Sequence, residues 1–106
     1  MYFETLKAIL SDHPLVVDFS VNRERIGQTE GFIDIGCQII RNFKFQIFEY
    51  YKDSNITNYR YNIMNMKGEL VVRWDNAPHF PDLENCPHHK HLSDSTVSSD
   101  QPSLML

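Results

Sequence analysis

Between Leu15 and Asp75 the apolar residues recur at every second position, a period that leaves few folds open. Leu15, Val17, Phe19 and Val21 alternate with Val16, Asp18, Ser20 and Asn22. A polar loop with Arg23, Arg25, Gly27 and Gly31 follows. Then Ile33, Ile35, Cys37 and Ile39 alternate with Phe32, Asp34, Gly36 and Gln38, and Arg41-Asn42 turns the chain into a third run, where Phe43, Phe45 and Ile47 share a face. Asp53-Ser54-Asn55 marks the next turn. From Thr57 to Met66, Tyr59, Tyr61 and Ile63 alternate with Arg60, Asn62 and Met64. Lys67-Gly68 leads into Glu69 to Asp75, where Leu70, Val72 and Trp74 alternate with Val71, Arg73 and Asp75. Runs of this kind joined by short turns predict five half-buried strands in a mostly antiparallel meander.

Parity sets the register of the last hairpin. Apolar positions are odd in the fourth run and even in the fifth, so paired residue numbers must have an odd sum to share a face. A two- or four-residue loop centred on Lys67-Gly68 gives a constant sum of 135. Ile63 then meets Val72, Tyr61 meets Trp74, Asn62 meets Arg73, and Arg60 meets Asp75. A three-residue loop would set apolar against polar. Arg60 and Asp75 are thus expected side by side on the non-core face.

Ahead of the strands, Phe3, Leu6 and Leu10 stand at helical spacing, flanked by Tyr2 and Ile9, and Asp12-His13-Pro14 ends the run. One helix before a meander predicts an α+β domain, the helix covering one sheet face. The expected division is a single domain over 1–92 and a flexible polar tail over 93–106, whose end, Leu104-Met105-Leu106, looks like the start of an apolar segment. A chain of 106 residues has room for one core. No apolar run reaches the roughly 20 residues of a membrane span, and Met-Tyr-Phe-Glu-Thr lacks the marks of a signal peptide, which predicts a cytoplasmic protein with no membrane partner. Cys37 and Cys86 are then expected reduced, Cys37 as a small core residue. A net charge of -4 argues against strong non-specific DNA binding but leaves open a local RNA-binding patch.

The periodicity stops after Asp75, and the chain's rarest residues gather there. Arg73 to His91 holds four of the five histidines, the one Trp, three of the five prolines and one of the two cysteines. Asn76 to Leu92 is expected to be irregular. Its histidines and Cys86 offer donors for a divalent metal such as zinc, yet their spacing fits no standard zinc pattern and no Cys-x-x-Cys is present. No cofactor is therefore assigned. The second reading is a polar loop without chemistry. The third is metal-free phosphoryl transfer on RNA, which needs a base for the 2′-hydroxyl, an acid for the leaving oxygen and a cation for the developing charge. On that reading His79, His88, His89 and His91 supply acid and base, with Arg73 and Asp75 as further catalytic candidates. Arg60, Lys90 and Asn76 are the candidates for holding substrate.

Several residues have simpler readings. Trp74 plugs the core while Arg73 and Asp75 pair on the surface, or Asp75-Asn76 caps the following turn. Glu49 shares a face with Phe45 and Ile47 and is expected to reach solvent at a strand end; buried, it would be a general-base candidate. His13 reads as a helix-end residue, and Tyr50-Tyr51 and Tyr59/Tyr61 as sheet packing.

Tyr59-Arg60-Tyr61, Gly68-Glu69-Leu70, Arg73-Trp74-Asp75-Asn76-Ala77-Pro78-His79 with Pro81, and Pro87-His88-His89-Lys90-His91 together resemble the TumE family. Its members are small toxin components of prokaryotic type II toxin–antitoxin modules. The likeness spans roughly Leu15 to Leu92 and is carried by two blocks, Arg-Trp-Asp-Asn-Ala-Pro-His and Pro-His-His-Lys-His. Many members carry a second His after the first block where this chain has Phe80, so no role is given to that position. The resemblance implies growth inhibition and a cognate antitoxin protein, and it leaves a homodimer open. The expected function is thus a cytoplasmic toxin acting on RNA through a His/Arg site. The alternatives are a non-enzymatic protein- or metal-binding module and an inactive toxin relative.

Overall fold

The computed structural model describes residues 2–77, 87–92 and 95–98. Helix α1 (Tyr2–Asp12) precedes β1 (Val16–Ile26), β2 (Glu30–Ile39), β3 (Phe43–Lys52), β4 (Asn55–Met64), β5 (Leu70–Asp75), β6 (His89–His91) and β7 (Thr96–Ser98). The strands form one sheet in chain order, each antiparallel to the next. The α+β meander is present, with seven strands among the described residues rather than five. Strand β6 corrects the expectation that Asn76 to Leu92 is irregular, and β7 falls in the stretch expected as a flexible tail. Three residues are too few to show a period of two, so β6 takes its strand state from its ladder with β5 rather than from local pattern. No helix among the described residues is long and apolar enough to cross a membrane.

Phe3, Leu6 and Leu10 point from one side of α1 into the sheet and are buried against Ile33, Ile35, Cys37, Ile47, Tyr59 and Tyr61. Each such side chain contributes roughly 1.5–3 kcal/mol by leaving water. Pro14 cannot continue the helix, and His13 Nδ1 accepts the Leu15 N–H at 3.1 Å, so His13 is the helix-end residue expected. Cys37 is a buried free thiol whose pKa burial pushes up to about 11.

The first strand corrects the alternation read from sequence. Val16 pairs with Ile39 and Asp18 with Gln38, so Val17 is an extra, bulged residue and lies 66% exposed. A second shift between Val21 and Arg23 brings Glu24 opposite Ile33, on the helix face, where its carboxylate meets Lys7 Nζ at 2.6 Å. Arg23 and Arg25 lie in the strand and not in a loop. An edge strand tolerates polar residues on both faces, which hides its length from a hydrophobic pattern.

The β4–β5 pairs are the four expected from parity: Ile63–Val72, Asn62–Arg73, Tyr61–Trp74 and Arg60–Asp75. The turn differs. Asn65 N–H donates to Glu69 O at 3.0 Å, enclosing a three-residue loop that ends at Gly68 with φ 82°. A shift between Ile63 and Met64 then makes Val71 the extra residue and restores the odd sum. At the β3–β4 turn Asp53 and Ser54 both have positive φ, 51° and 68°, which suits a tight two-residue hairpin.

Glu49 is the other correction. Strand β3 continues to Lys52, so Glu49 sits inside the strand and is fully buried rather than at a solvent-facing end. The hydroxyls of Tyr61 and Tyr2 both donate to its Oε2, and Oε1 has no partner. Burial raises its pKa above the usual carboxyl range, against the lowering effect of the two tyrosines.

Candidate functional site: one carboxylate and two histidines on adjacent strands

Residues two apart on a strand share a face, and a cross-strand partner faces them both. In the β5–β6 ladder Asp75 pairs with His89 and Arg73 with His91. Asp75, His89 and His91 therefore meet on one face of the sheet, the face α1 does not cover. His89 Nε2 lies 2.7 Å from Asp75 Oδ1, and His91 Nε2 lies 3.2 Å from Asp75 Oδ2. The two Nε2 atoms are 2.9 Å apart. His89 is 2% exposed and Asp75 8%, while His91 is only partly covered.

Each member is held from behind. His89 Nδ1 is 2.8 Å from the Pro87 carbonyl, which only accepts, so this nitrogen carries a hydrogen. His91 Nδ1 is 3.2 Å from Thr96 Oγ1 across the β6–β7 ladder. Asp75 Oδ1 accepts the Ala77 N–H at 3.0 Å, the turn-capping contact anticipated for this aspartate. Asn76 accepts the Tyr59 N–H at 3.0 Å and donates to Thr57 O at 2.8 Å, fastening the exit of β5 to β4.

A cavity of about 310 Å³ adjoins the cluster, lined by Phe48, Arg60, Arg73, Asp75, Asn76 and His91 among others. Arg73 Nε donates to Asn62 Oδ1 at 2.7 Å, using one of its five N–H donors. The Arg60 guanidinium lies over the Phe48 ring, 5.6 Å from its centre, while the Asp75 carboxylate is taken by the histidines. Arg60, Arg73, Asp75 and His91 thus line one cavity, with His89 in contact with Asp75 and His91.

Not every candidate joins them. Lys90 alternates to the opposite face, where it pairs with Trp74 and its Nζ stands 5.4 Å from the ring centre. His88 precedes β6 and stacks on Tyr59, with Nδ1 2.8 Å from the Tyr59 hydroxyl. Burial, with the charge of Asp75 behind it, pushes the Tyr59 hydroxyl up to about 12. Glu49 lies on the helix face and contributes nothing to this cluster. His79, Phe80 and Cys86 lie outside the described residues, as do Gln101 to Leu106. Thr96 and the Pro87 carbonyl were not among the sequence candidates, because the strand pairing that brings them in had no periodic signal. Separating Lys90 from His89 and His91 needed only the period of two, once β6 is known to be a strand.

Among protein-family models, the one described as Toxin TumE matches residues 5–105. No curated protein and no solved structure matches the chain.

Proposed function

The chain belongs to the TumE toxin family, and from that premise we propose that it is the toxin of a type II toxin–antitoxin module that acts on RNA at the Asp75–His89–His91 surface. One observation supports this reading above others: the three side chains converge beside a cavity whose wall also carries Arg73 and Arg60. Cleavage of RNA by its own 2′-hydroxyl forms a bond from that oxygen to phosphorus and breaks the bond to the 5′-oxygen. A base removes the first proton, an acid supplies the second, and a cation offsets the charge gained by the phosphoryl oxygens. The histidines handle the protons, with His91 facing the cavity and the more deeply buried His89 oriented by Asp75 and Pro87. Arg73 and Arg60 supply the charge, and Asn76 keeps the cavity's rim in place. His79 is a further candidate on the sequence alone. A cognate antitoxin would neutralise the protein by covering this surface, and action on RNA places it in the cytoplasm.

The experiment is to express the chain and its His79→Ala and His89→Ala variants without antitoxin, following growth and RNA integrity together. The expected result is growth arrest with cleaved RNA for the unaltered chain, and relief of both in each folded variant. Arrest with intact RNA would favour the non-enzymatic binding reading, and no arrest an inactive relative.

A further inference from the structure

We infer that Asp75, His89 and His91 form a binding site for one divalent first-row metal ion, of which zinc is the representative. The inference takes its location from the proposed function but stands on separate observations. The first is the hydrogen count at His89. Its Nδ1 faces the Pro87 carbonyl at 2.8 Å, and its Nε2 lies 2.7 Å from the Asp75 carboxylate and 2.9 Å from His91 Nε2. With the Nδ1 hydrogen given to Pro87, the Nε2 lone pair is crowded by a carboxylate oxygen and a second ring nitrogen, an arrangement that a positive centre, proton or metal, relieves.

The second is convergence. His91 Nε2 comes within 2.9 Å of His89 Nε2 and within 3.2 Å of Asp75 Oδ2, so three donor atoms surround one point. Metal–ligand bonds of about 2.0–2.2 Å at tetrahedral angles put donors about 3.3–3.6 Å apart, so the groups need to separate by less than about 1 Å. The third is the backing of the donors. Ligating histidines characteristically give their other ring nitrogen to a carbonyl, hydroxyl or carboxylate, as His89 does to Pro87 and His91 to Thr96. Two imidazoles and a carboxylate suit zinc and its neighbours rather than calcium or magnesium, which prefer all-oxygen shells. Three protein donors leave coordination for a water or a phosphate oxygen from the adjoining cavity. With such an ion bound, His89 and His91 would be ligands rather than the acid and base proposed above, and a water on the ion would supply the proton-transfer chemistry.

The test is titration of the metal-stripped full chain with zinc sulfate by calorimetry, beside His91→Gln, Asp75→Asn and a His13→Gln control. The expected result is one zinc per chain, binding weakened tenfold or more in both site variants, and no change in the control. His91→Gln, at the partly covered position, guards against misfolding at buried Asp75. Absence of stoichiometric zinc, or equal binding in the folded His91→Gln and Asp75→Asn proteins, overturns the inference and leaves a shared proton between the groups. Stoichiometric zinc in a chain that neither arrests growth nor cleaves RNA upholds the metal site and counts against the proposed function. Cleavage by a chain that binds no zinc does the reverse.

Discussion

His89 Nε2 stands 2.7 Å from Asp75 Oδ1 because β5 and β6 set these residues directly opposite each other on the open face of the sheet. The contact is buried, with His89 at 2% exposure and Asp75 at 8%. Neither partner can change charge without consequence for the other.

Asp75→Asn should therefore abolish toxicity while costing roughly 1–3 kcal/mol of stability, the usual size for a charged partner removed from a buried hydrogen bond. Growth curves and urea unfolding of the same variant separate the two effects. Undiminished arrest by a folded Asp75→Asn protein would remove this carboxylate from the site.

Arg73→Lys tests geometry against charge. The change keeps the charge but loses the planar fork and the 2.7 Å bond from Nε to Asn62. RNA cleavage should fall about tenfold or more, measured as dose-dependent loss of intact RNA. Equal activity in the Lys variant would mean that a point charge suffices.

Glu49 makes the fold sensitive to pH. Its pKa is raised in the folded state, above the ordinary 4.5, chiefly by burial. Its contribution is full below that ordinary value and is lost as pH rises through the higher folded value. Relative to Glu49→Gln, the unaltered chain should lose stability as pH climbs above the usual carboxyl range. Urea midpoints for both proteins from acid to mildly alkaline pH check this, and a constant difference between them would contradict it.

Gly68 closes the β4–β5 loop at φ 82°, and a Cβ added there would meet nothing within 4 Å. Gly68→Ala should cost about 1 kcal/mol from backbone conformation alone. Unfolding midpoints report it directly, and toxicity should be unaffected in protein that remains folded.

Much of the fold was legible because two periods were clear: helical spacing in Phe3, Leu6 and Leu10, and alternation in β2 through β5. The Arg60–Asp75 and Tyr61–Trp74 pairs followed from parity, even though the loop proved to have three residues and Val71 bulged to compensate. Bulges at Val17 and Asn22 escaped notice because an inserted residue leaves no compositional mark. The burial of Glu49 leaves no mark in the pattern, because β3 runs on to Lys52 and one of the carboxyl's two partners, Tyr2, comes from the helix 47 residues away. For the candidate site, residue type pointed to the segment from Arg73 to His91, and strand alternation sorts its described residues. His89 and His91 face Asp75, Lys90 turns to Trp74, and His88 rests on Tyr59.

Growth after induced expression of His91→Ala, beside the unaltered chain and with thermal unfolding of both purified proteins, bears most directly on the role of this cluster. The expected result is arrest by the unaltered chain, normal growth with His91→Ala, and unfolding midpoints within a few degrees of each other, since His91 is only partly covered. Equal arrest by a folded His91→Ala protein would contradict the assignment of toxicity to Asp75, His89 and His91.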